Sequence, residues 1–214
     1  MKGLFIKDLL ILKSRKQLYI VVLALAVMYA VMGMHAFAME FMALLGASSV
    51  ISTLSYDFMD NGGTFLFALP FTRRQYIAEK YLISYGGGLV GMLLGSLVVL
   101  AGIAMGQPIA VDEIFTYIVV GVMITAFMVS FMIPLEIKFG AEQSRTAMFA
   151  VMAAVMIAAV IIARILPESV VARVAVYLQS LTDLQMGLGI GLFAVVFTTI
   201  SVLLSLHFIQ KKEF

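Results

Sequence analysis

The chain has 214 residues, of which 63% are hydrophobic and only 12% are charged. Soluble domains are about 45–50% apolar and about 25% charged, so this composition excludes an ordinary soluble domain and indicates a protein solvated mainly by lipid. The sequence has no cysteine, which excludes disulfides and thiolate metal sites. Its two histidines, His35 and His207, are too few and too far apart in sequence to predict a metal centre.

Apolar segments long enough to cross a membrane occur six times along the chain. A helix needs about 20 apolar residues to cross the hydrocarbon core of a bilayer. The segments that meet this requirement lie at residues 18–34, 36–56, 82–105, 114–135, 147–166 and 186–208. The sequence therefore predicts one all-α integral membrane domain over residues 1–214, with six transmembrane helices and a tight hairpin near Gly33 between the first two.

Basic residues are distributed unevenly between the segments that connect these spans. If the N-terminus lies inside, all of the 14 Lys and Arg residues except Arg164 and Arg173 fall on the inner side. Lys and Arg concentrate in the short cytoplasmic loops of membrane proteins. The pattern therefore predicts a multi-pass protein of the cell membrane with a cytoplasmic N-terminus and, because the number of spans is even, a cytoplasmic C-terminus.

The segment Lys2–Lys16 precedes the first span and is strongly basic, with Asp8 as its single acidic residue. Phe5, Leu9 and Leu12 share one face of a helix, although the other apolar residues do not follow this spacing. Basic residues near anionic headgroups contribute about 1 kcal/mol each. We therefore expect an interfacial elbow helix that turns into the membrane; the alternative is that these charges only set the topology.

The connection between the second and third spans, residues 57–80, is the most informative polar segment. Thr72 and Gln75 have the spacing of a capping box and predict that a helix begins here. Arg73 and Arg74 lie in its first turn, where the helix dipole disfavours cations by about 0.3–1 kcal/mol. We therefore expect a negative group outside the helix to meet them, either a lipid phosphate or an acidic residue of a cytoplasmic partner. Simple anchoring of the topology is the alternative.

Two other connecting segments carry structural signals. Residues 134–145 are short and alternate in charge, and Gly140 suits the left-handed cap that ends a helix. The segment Pro167–Gln185, before the sixth span, has apolar residues at helical spacing, namely Val170, Val174, Tyr177 and Leu181. This spacing predicts a short amphipathic helix that lies at the outer interface or dips into it, with an ordinary surface loop as the alternative.

Polar residues also occur within the second span. Glu40 is the only carboxylate well inside a predicted span, and Ser48 and Ser52 lie on the same more polar face. Charged residues at membrane depth usually face a cavity or another helix, so this face indicates a possible contact for cargo or protons. The alternatives are a position for Glu40 near the outer interface and helix-to-helix hydrogen bonds for the serines.

The third span has a repeated small-residue pattern. Gly87, Gly91 and Gly95 recur at every fourth position and predict close helix packing, or, as a narrower alternative, a dimer face. The adjacent glycine run is not followed by Gly-Lys-Ser/Thr, so the chain has no phosphate-binding loop and is not expected to hydrolyse ATP by itself. The 16 methionines suit a cavity for amphipathic peptides, but methionine also faces lipid.

Three segments of the sequence, in this order, resemble the membrane permeases of ABC-2 type ABC transporters. They are Lys2–Leu9, Leu69–Leu82 and Pro134–Arg145. Within that group the chain most resembles the small permeases of phenol-soluble modulin exporters, and the resemblance covers the whole chain in topology. It implies a permease subunit, expected to be a homodimer, whose two cytoplasmic ATPase partners bind ATP and Mg²⁺.

The resemblance also implies which residues act in coupling. The segment between spans two and three would be a coupling helix that docks on the ATPase through Phe71, Thr72, Arg73, Arg74, Gln75, Tyr76 and Lys80. A second set would lie in the next cytoplasmic loop, namely Lys138, Phe139, Gly140, Glu142 and Arg145. No cofactor, metal or catalytic residue is expected in the chain itself.

The function implied by this resemblance is ATP-driven export of amphipathic or hydrophobic peptides, taken up from the inner leaflet, without any nucleic-acid partner. A non-transport membrane protein, such as an immunity or scaffold protein, is the main alternative. An intramembrane protease is disfavoured because Glu40 has no paired catalytic group in the predicted spans.

Overall fold

The computed structural model describes residues 2–59, 62–107, 109–165 and 167–212. Within these ranges the chain is helical and contains no strand, which confirms the predicted all-α class. The helices are α1 (Lys2–Ser14), α2 (Lys16–Val31), α3 (His35–Phe58), α4 (Gly62–Phe67), α5 (Arg73–Ala104), α6 (Val111–Phe139), α7 (Ala141–Ile165), α8 (Glu168–Ser180) and α9 (Asp183–Lys211).

Five of the described helices are long and apolar enough to cross a membrane, namely α3, α5, α6, α7 and α9. The first predicted span corresponds to α2, which is apolar but has only 16 residues. A helix of that length rises about 24 Å, less than the hydrocarbon core of about 30 Å. The predicted hairpin is present, since α2 and α3 are joined by a short turn in which Gly33 has a φ of 78°. A sixth crossing stays a prediction.

The predicted coupling helix is not a separate element. Thr72 is the N-cap of α5, and its side chain and that of Gln75 form the predicted capping box. From Arg73 the helix continues without interruption to Ala104, over 32 residues. It therefore rises about 48 Å and extends well beyond the hydrocarbon core. The stretch Thr72–Lys80 forms the first turns of the same helix that makes the third predicted span, and the short α4 lies in the connection before it.

The connection between the fourth and fifth predicted spans is also shorter than expected. α6 continues to Phe139 and α7 begins at Ala141, so only Gly140, with a φ of 79°, separates them. Hydropathy placed the boundaries farther apart because charged residues enter the sequence here, but such residues are good helix formers. The segment before α9 contains the helix α8, as expected for the predicted amphipathic helix and not for a surface loop.

The centre of the bundle is the contact between α3 and α5, the most extensive in the described structure. Glycines allow the two backbones to touch. A Cβ atom added to Gly91 would lie 2.2 Å from the carbonyl oxygen of Met42, and one added to Gly46 would lie 2.2 Å from that of Gly87. α6 packs against this pair, and α9 packs mainly against α6.

Candidate functional site

Most of the charged side chains that contact other described residues lie at one end of the bundle. Here α1 packs against α3 and α5, and Leu4 of α1 belongs to the same apolar cluster as residues near the ends of α6 and α9. We call this region the charged end. Its apolar floor includes Leu4, Leu54, Ile77, Ile137 and Ile209, one from each of those five helices.

A buried ionic cluster joins three of these helices. We define it as Lys7 and Asp8 of α1, Asp57 of α3 and Lys80 of α5. The Lys80 ammonium contacts both carboxylates, Asp8 and Asp57, the latter at 2.8 Å. Lys7 also contacts both, with Asp8 at 3.1 Å. The two lysines therefore share the two carboxylates, and the cluster as a whole is neutral.

Neutral hydroxyl groups complete the coordination of the ionic cluster. The Thr53 hydroxyl of α3 lies 2.8 Å from Asp8 and 3.0 Å from the Lys80 ammonium. The Tyr76 hydroxyl, one turn before Lys80 in α5, donates to Asp57 at 2.9 Å. These bonds add to the ion pairs of the buried charges, and such additional hydrogen bonds are the condition for a buried ion pair to be tolerated.

Burial makes the ionic cluster a strong structural constraint. Lys80 is 1% exposed and Asp8 is fully buried. Breaking a buried ion pair by removing one partner typically costs about 3–5 kcal/mol, because the other charge is left uncompensated. α1 therefore cannot separate from the first turns of α5 without a large loss of stability, so that the two move together.

Glu79, next to Lys80 in the sequence, is buried at the same end but takes a different role. Neither of its carboxylate oxygens has a hydrogen-bond partner within the described part of the chain. A buried carboxylate without partners is costly, and the cluster's two lysines are already shared between two other acids. Glu79 is thus a third acid beside a cluster that is neutral without it.

Arg73 explains how cations are accommodated in the first turn of α5. Its guanidinium donates to the backbone carbonyls of Ile209, at 2.9 Å, and Gln210, at 2.8 Å, at the end of α9. The C-terminus of a helix carries partial negative charge and unsatisfied carbonyls. For Arg73 the expected external phosphate or acidic partner is therefore replaced by a group within the chain. Arg74 projects outward and is exposed.

A second cation bonds to a carbonyl near the C-terminus of another helix. The Lys212 ammonium donates to the carbonyl of Ile137 near the end of α6, at 3.0 Å, and lies 4.1 Å from the centre of the Phe58 ring. Burial lowers the pKa of Lys212 from its usual value. Together with Arg73, this lysine ties the ends of α6 and α9 to the helices of the ionic cluster.

A line of hydroxyl groups holds α9 against α5 and α6. Pro134 lies inside α6 and has no N–H, so the carbonyl of Ser130, four residues earlier, lacks its helical partner. The Ser201 hydroxyl of α9 donates to that carbonyl. Since Ser201 has a single O–H, the Tyr81 hydroxyl of α5 must be the donor in its contact with Ser201. This contact places α9 in a fixed position relative to α5.

The structure divides the predicted ATPase-coupling residues into two groups. Thr72, Arg74 and Gln75 are exposed, and Phe71 and Arg73 are half-buried. Tyr76 and Lys80 are buried, and they belong to the ionic cluster and its supporting bonds. Of the predicted coupling residues, those in the first turn of α5 and just before it are therefore the ones accessible to another protein.

The second predicted set lies near the break between α6 and α7. Lys138, Phe139 and Glu142 are exposed, and the Lys138 ammonium lies 4.7 Å from the centre of the Phe139 ring. Gly140 supplies the break itself. The prediction for Arg145 lies outside the side chains that the structure describes.

The polar residues of α3 form bonds between and within helices. Ser48 donates to the carbonyl of Leu45 in its own helix, and Ser52 accepts a bond from Arg15. Glu40 is half-buried. A cavity of about 640 Å³ that α3 lines in part has Ser49 in its wall rather than any of these three predicted cavity residues.

Taken together, these features describe a multi-pass helical membrane protein whose charged end fixes the relative positions of five helices. The chain matches the family model described as ABC-2 family transporter protein over residues 3–210, nearly its whole length. It therefore belongs to the ABC-2 family and is a membrane permease component of an ABC transporter, a kind of protein that associates with ABC ATPase subunits. No curated protein and no solved structure matches the chain.

Proposed function

We propose that this permease is the membrane subunit of an ATP-driven exporter and that its charged end faces the cytoplasm and receives the ATPase. The observation that carries the proposal is the double attachment of the first turns of α5. Lys80 joins them to α1 and α3 through the ionic cluster, and Arg73 joins them to the end of α9. A displacement applied to this stretch is passed to all of these helices.

The exposed surface beside this stretch is suited to a protein partner. Phe65 of α4 is 74% exposed and Leu69 is 43% exposed, next to the cationic Arg74. Aromatic residues and arginine are enriched in protein interfaces. In the proposed arrangement, Arg74 meets an acidic residue of the ATPase, while Thr72–Lys80 acts as the coupling segment.

The proposal includes a second copy of the permease and an amphipathic cargo. The apolar window of α7 has none of its described residues buried within the chain, and that of α9 has only 6% buried. Faces of this kind are covered by lipid or by another transmembrane helix. A homodimer would place two such faces around a pathway for apolar or amphipathic peptides, with ATP and Mg²⁺ bound by the ATPase subunits alone.

Capture of the ATPase tests the docking surface. Arg74→Glu should weaken co-purification of the ATPase because it reverses the exposed charge without disturbing a contact inside the chain. Arg164→Glu, at the exposed end of α7 far along the sequence, is the matched control and should leave capture unchanged. Equal capture by both variants and the unaltered chain would show that the ATPase binds elsewhere.

Cargo is tested separately, with the assembled complex. ATP hydrolysis should rise when amphipathic helical peptides are added and should not respond to hydrophilic peptides of the same length. A response to neither class would remove the peptide-export part of the proposal. Failure to capture any ATPase would instead count against the proposed role in ATP-driven export.

A further inference from the structure

An apolar groove lies on the side of the bundle between α2 and α5. α2 packs against the bundle through Val22, Ala26 and Ala30. Its first turns, with Tyr19 and Ile20, line a wedge of about 640 Å³, which α1 closes at one end. Its wall includes Leu12 of α1, Leu23 of α2 and Gly86 and Leu94 of α5.

The dimensions of the groove match one leaflet of a bilayer. Along α5 it extends from Leu82 to Leu94, which corresponds to a rise of about 18 Å. Half of the hydrocarbon core is about 15 Å. The volume lies within the range of about 300–1,000 Å³ that is usual for small-ligand pockets. A single extended hydrocarbon chain from one leaflet therefore fits this groove better than a ligand with polar groups.

Cations surround the end of the groove that α1 closes. Leu12 and Tyr19 line the groove, and the turn between them carries Lys13, Arg15 and Lys16. The Arg15 guanidinium is held beside it by hydrogen bonds to Ser52 and Tyr56. Ser52 lies one turn from Ser49, which is part of the groove wall.

Within the described part of the chain, no carboxylate forms a salt bridge with Arg15. The salt bridges at this end instead involve Lys7 and Lys80. Its two side-chain partners are neutral hydroxyl groups, which leave some of its five N–H donors for another acceptor. A guanidinium held at the mouth of an apolar groove is complementary to a phosphate attached to an acyl chain.

We propose that this groove binds an anionic phospholipid of the leaflet at the charged end. One acyl chain fills the wedge between α2 and α5, and the headgroup phosphate contacts Arg15, with Lys13 and Lys16 nearby. The lipid would fill the space between the first turns of α2 and α5. The inference does not depend on the identity of the cargo or on ATPase docking.

Gly86 allows the groove to be filled without disturbing the helix packing. A Cβ atom added there has no heavy atom within 4 Å, whereas one added to Gly87 would lie 2.6 Å from Val50. Gly86→Leu therefore extends into the groove alone. Val90→Phe is a second way to fill it, because Val90 lines the groove and is 55% exposed. Gly189→Leu is the matched control, since this exposed glycine of α9 also has open space around it.

Fluorescence quenching in the full chain provides the test, because the sequence contains no tryptophan. Tyr19→Trp places a single fluorophore in the groove wall, and Leu203→Trp places one on the exposed surface of α9. Each variant is purified in mild detergent and titrated with phosphatidylglycerol, and separately with phosphatidylcholine, brominated in the acyl chain. Size-exclusion chromatography reports whether each variant is folded and whether it is dimeric.

The Tyr19→Trp reporter should show saturable quenching by phosphatidylglycerol that the Leu203→Trp reporter lacks. Gly86→Leu and Val90→Phe should abolish it, and Gly189→Leu should not. Arg15→Gln should weaken the affinity for phosphatidylglycerol about fivefold, the effect of one lost cation near a headgroup. It should weaken that for phosphatidylcholine less, because the choline cation makes that headgroup neutral overall.

Equal quenching of the two reporters would mean that lipid only surrounds the protein, and would overturn the proposal. Saturable quenching that survives in both folded groove-filling variants would overturn it as well. So would exclusion of the lipid whenever the chain is dimeric, which would assign the groove to a second copy. Saturable binding of an amphipathic peptide in the groove, with none of the lipid, would assign it to cargo.

Discussion

At the scale of single residues, several side chains of this permease compensate for a defect elsewhere in the backbone. Pro134 removes the N–H that would bond to Ser130, and Ser201 of α9 supplies the missing donor. Arg73 would destabilise the start of α5 if it were isolated, but it stabilises the end of α9. In both cases a group that would destabilise its own helix leads to a hydrogen bond between two helices.

The pairing of Pro134 with Ser201 predicts a specific pattern in a double-mutant cycle. Ser201→Ala leaves a buried carbonyl without a donor and should lower the free energy of unfolding by about 1–3 kcal/mol. Pro134→Ala restores the helical N–H, so Ser201→Ala should cost less in that background. Thermal unfolding of the detergent-solubilised variants measures both effects.

Thr199→Ala is the control for this cycle. Thr199 is exposed and its hydroxyl donates to Val195 within its own helix, so its removal should have little effect in either background. If Ser201→Ala has the same cost with and without Pro134, the serine does not compensate for the proline.

At the scale of helices, the contact of α3 with α5 depends on which glycines face the partner backbone. Sequence spacing places Gly87, Gly91 and Gly95 on one stripe and therefore predicts close packing of α5 against another helix. It does not show that the partner is α3, nor that Gly46 of α3 completes the contact. The neighbouring Gly86 points away from this contact and into the groove.

Two alanine substitutions five residues apart in α5 should therefore differ sharply. Gly91→Ala would place its Cβ atom 2.2 Å from the carbonyl oxygen of Met42 and should force α3 and α5 apart. We expect a loss of about 1–3 kcal/mol or more, the usual cost of overpacking. Gly86→Ala meets no atom within 4 Å and should be neutral or stabilising by up to about 1 kcal/mol, since alanine favours helix. Comparable melting temperatures for the two variants would contradict the close approach of these backbones.

At the scale of the whole molecule, the ionic cluster makes α1 part of the helical bundle. The sequence favoured a helix bound to headgroups by its charges, and its basic residues do lie along α1. Asp8 and Lys7, however, point into the bundle and meet Asp57 and Lys80. α1 is consequently fixed to the same stretch of α5 that we propose to receive the ATPase.

Removing one charge of the cluster should be more damaging than removing two. Lys80→Met leaves Asp8 and Asp57 with only Lys7 between them and should lower the free energy of unfolding by about 3–5 kcal/mol. Asp8→Asn in addition to Lys80→Met should recover part of this loss, because the remaining lysine and carboxylate then balance.

Lys13→Met, at an exposed position of the same helix, serves as the control and should change stability little. Additive losses from Asp8→Asn and Lys80→Met, measured by thermal unfolding, would show that the two residues do not interact.

Composition, the spacing of apolar segments and the capping residues were enough to predict a helical membrane protein and the start of α5 at Thr72. These properties depend on local backbone preferences and on averages over about 20 residues, which a single sequence contains. The partners of Lys80, Arg73 and Ser201 depended on the tertiary structure, because they lie 72, 136 and 71 positions away along the chain. Spacing within one helix shows which residues share a face, but only the packing of the helices decides which face of another helix they meet.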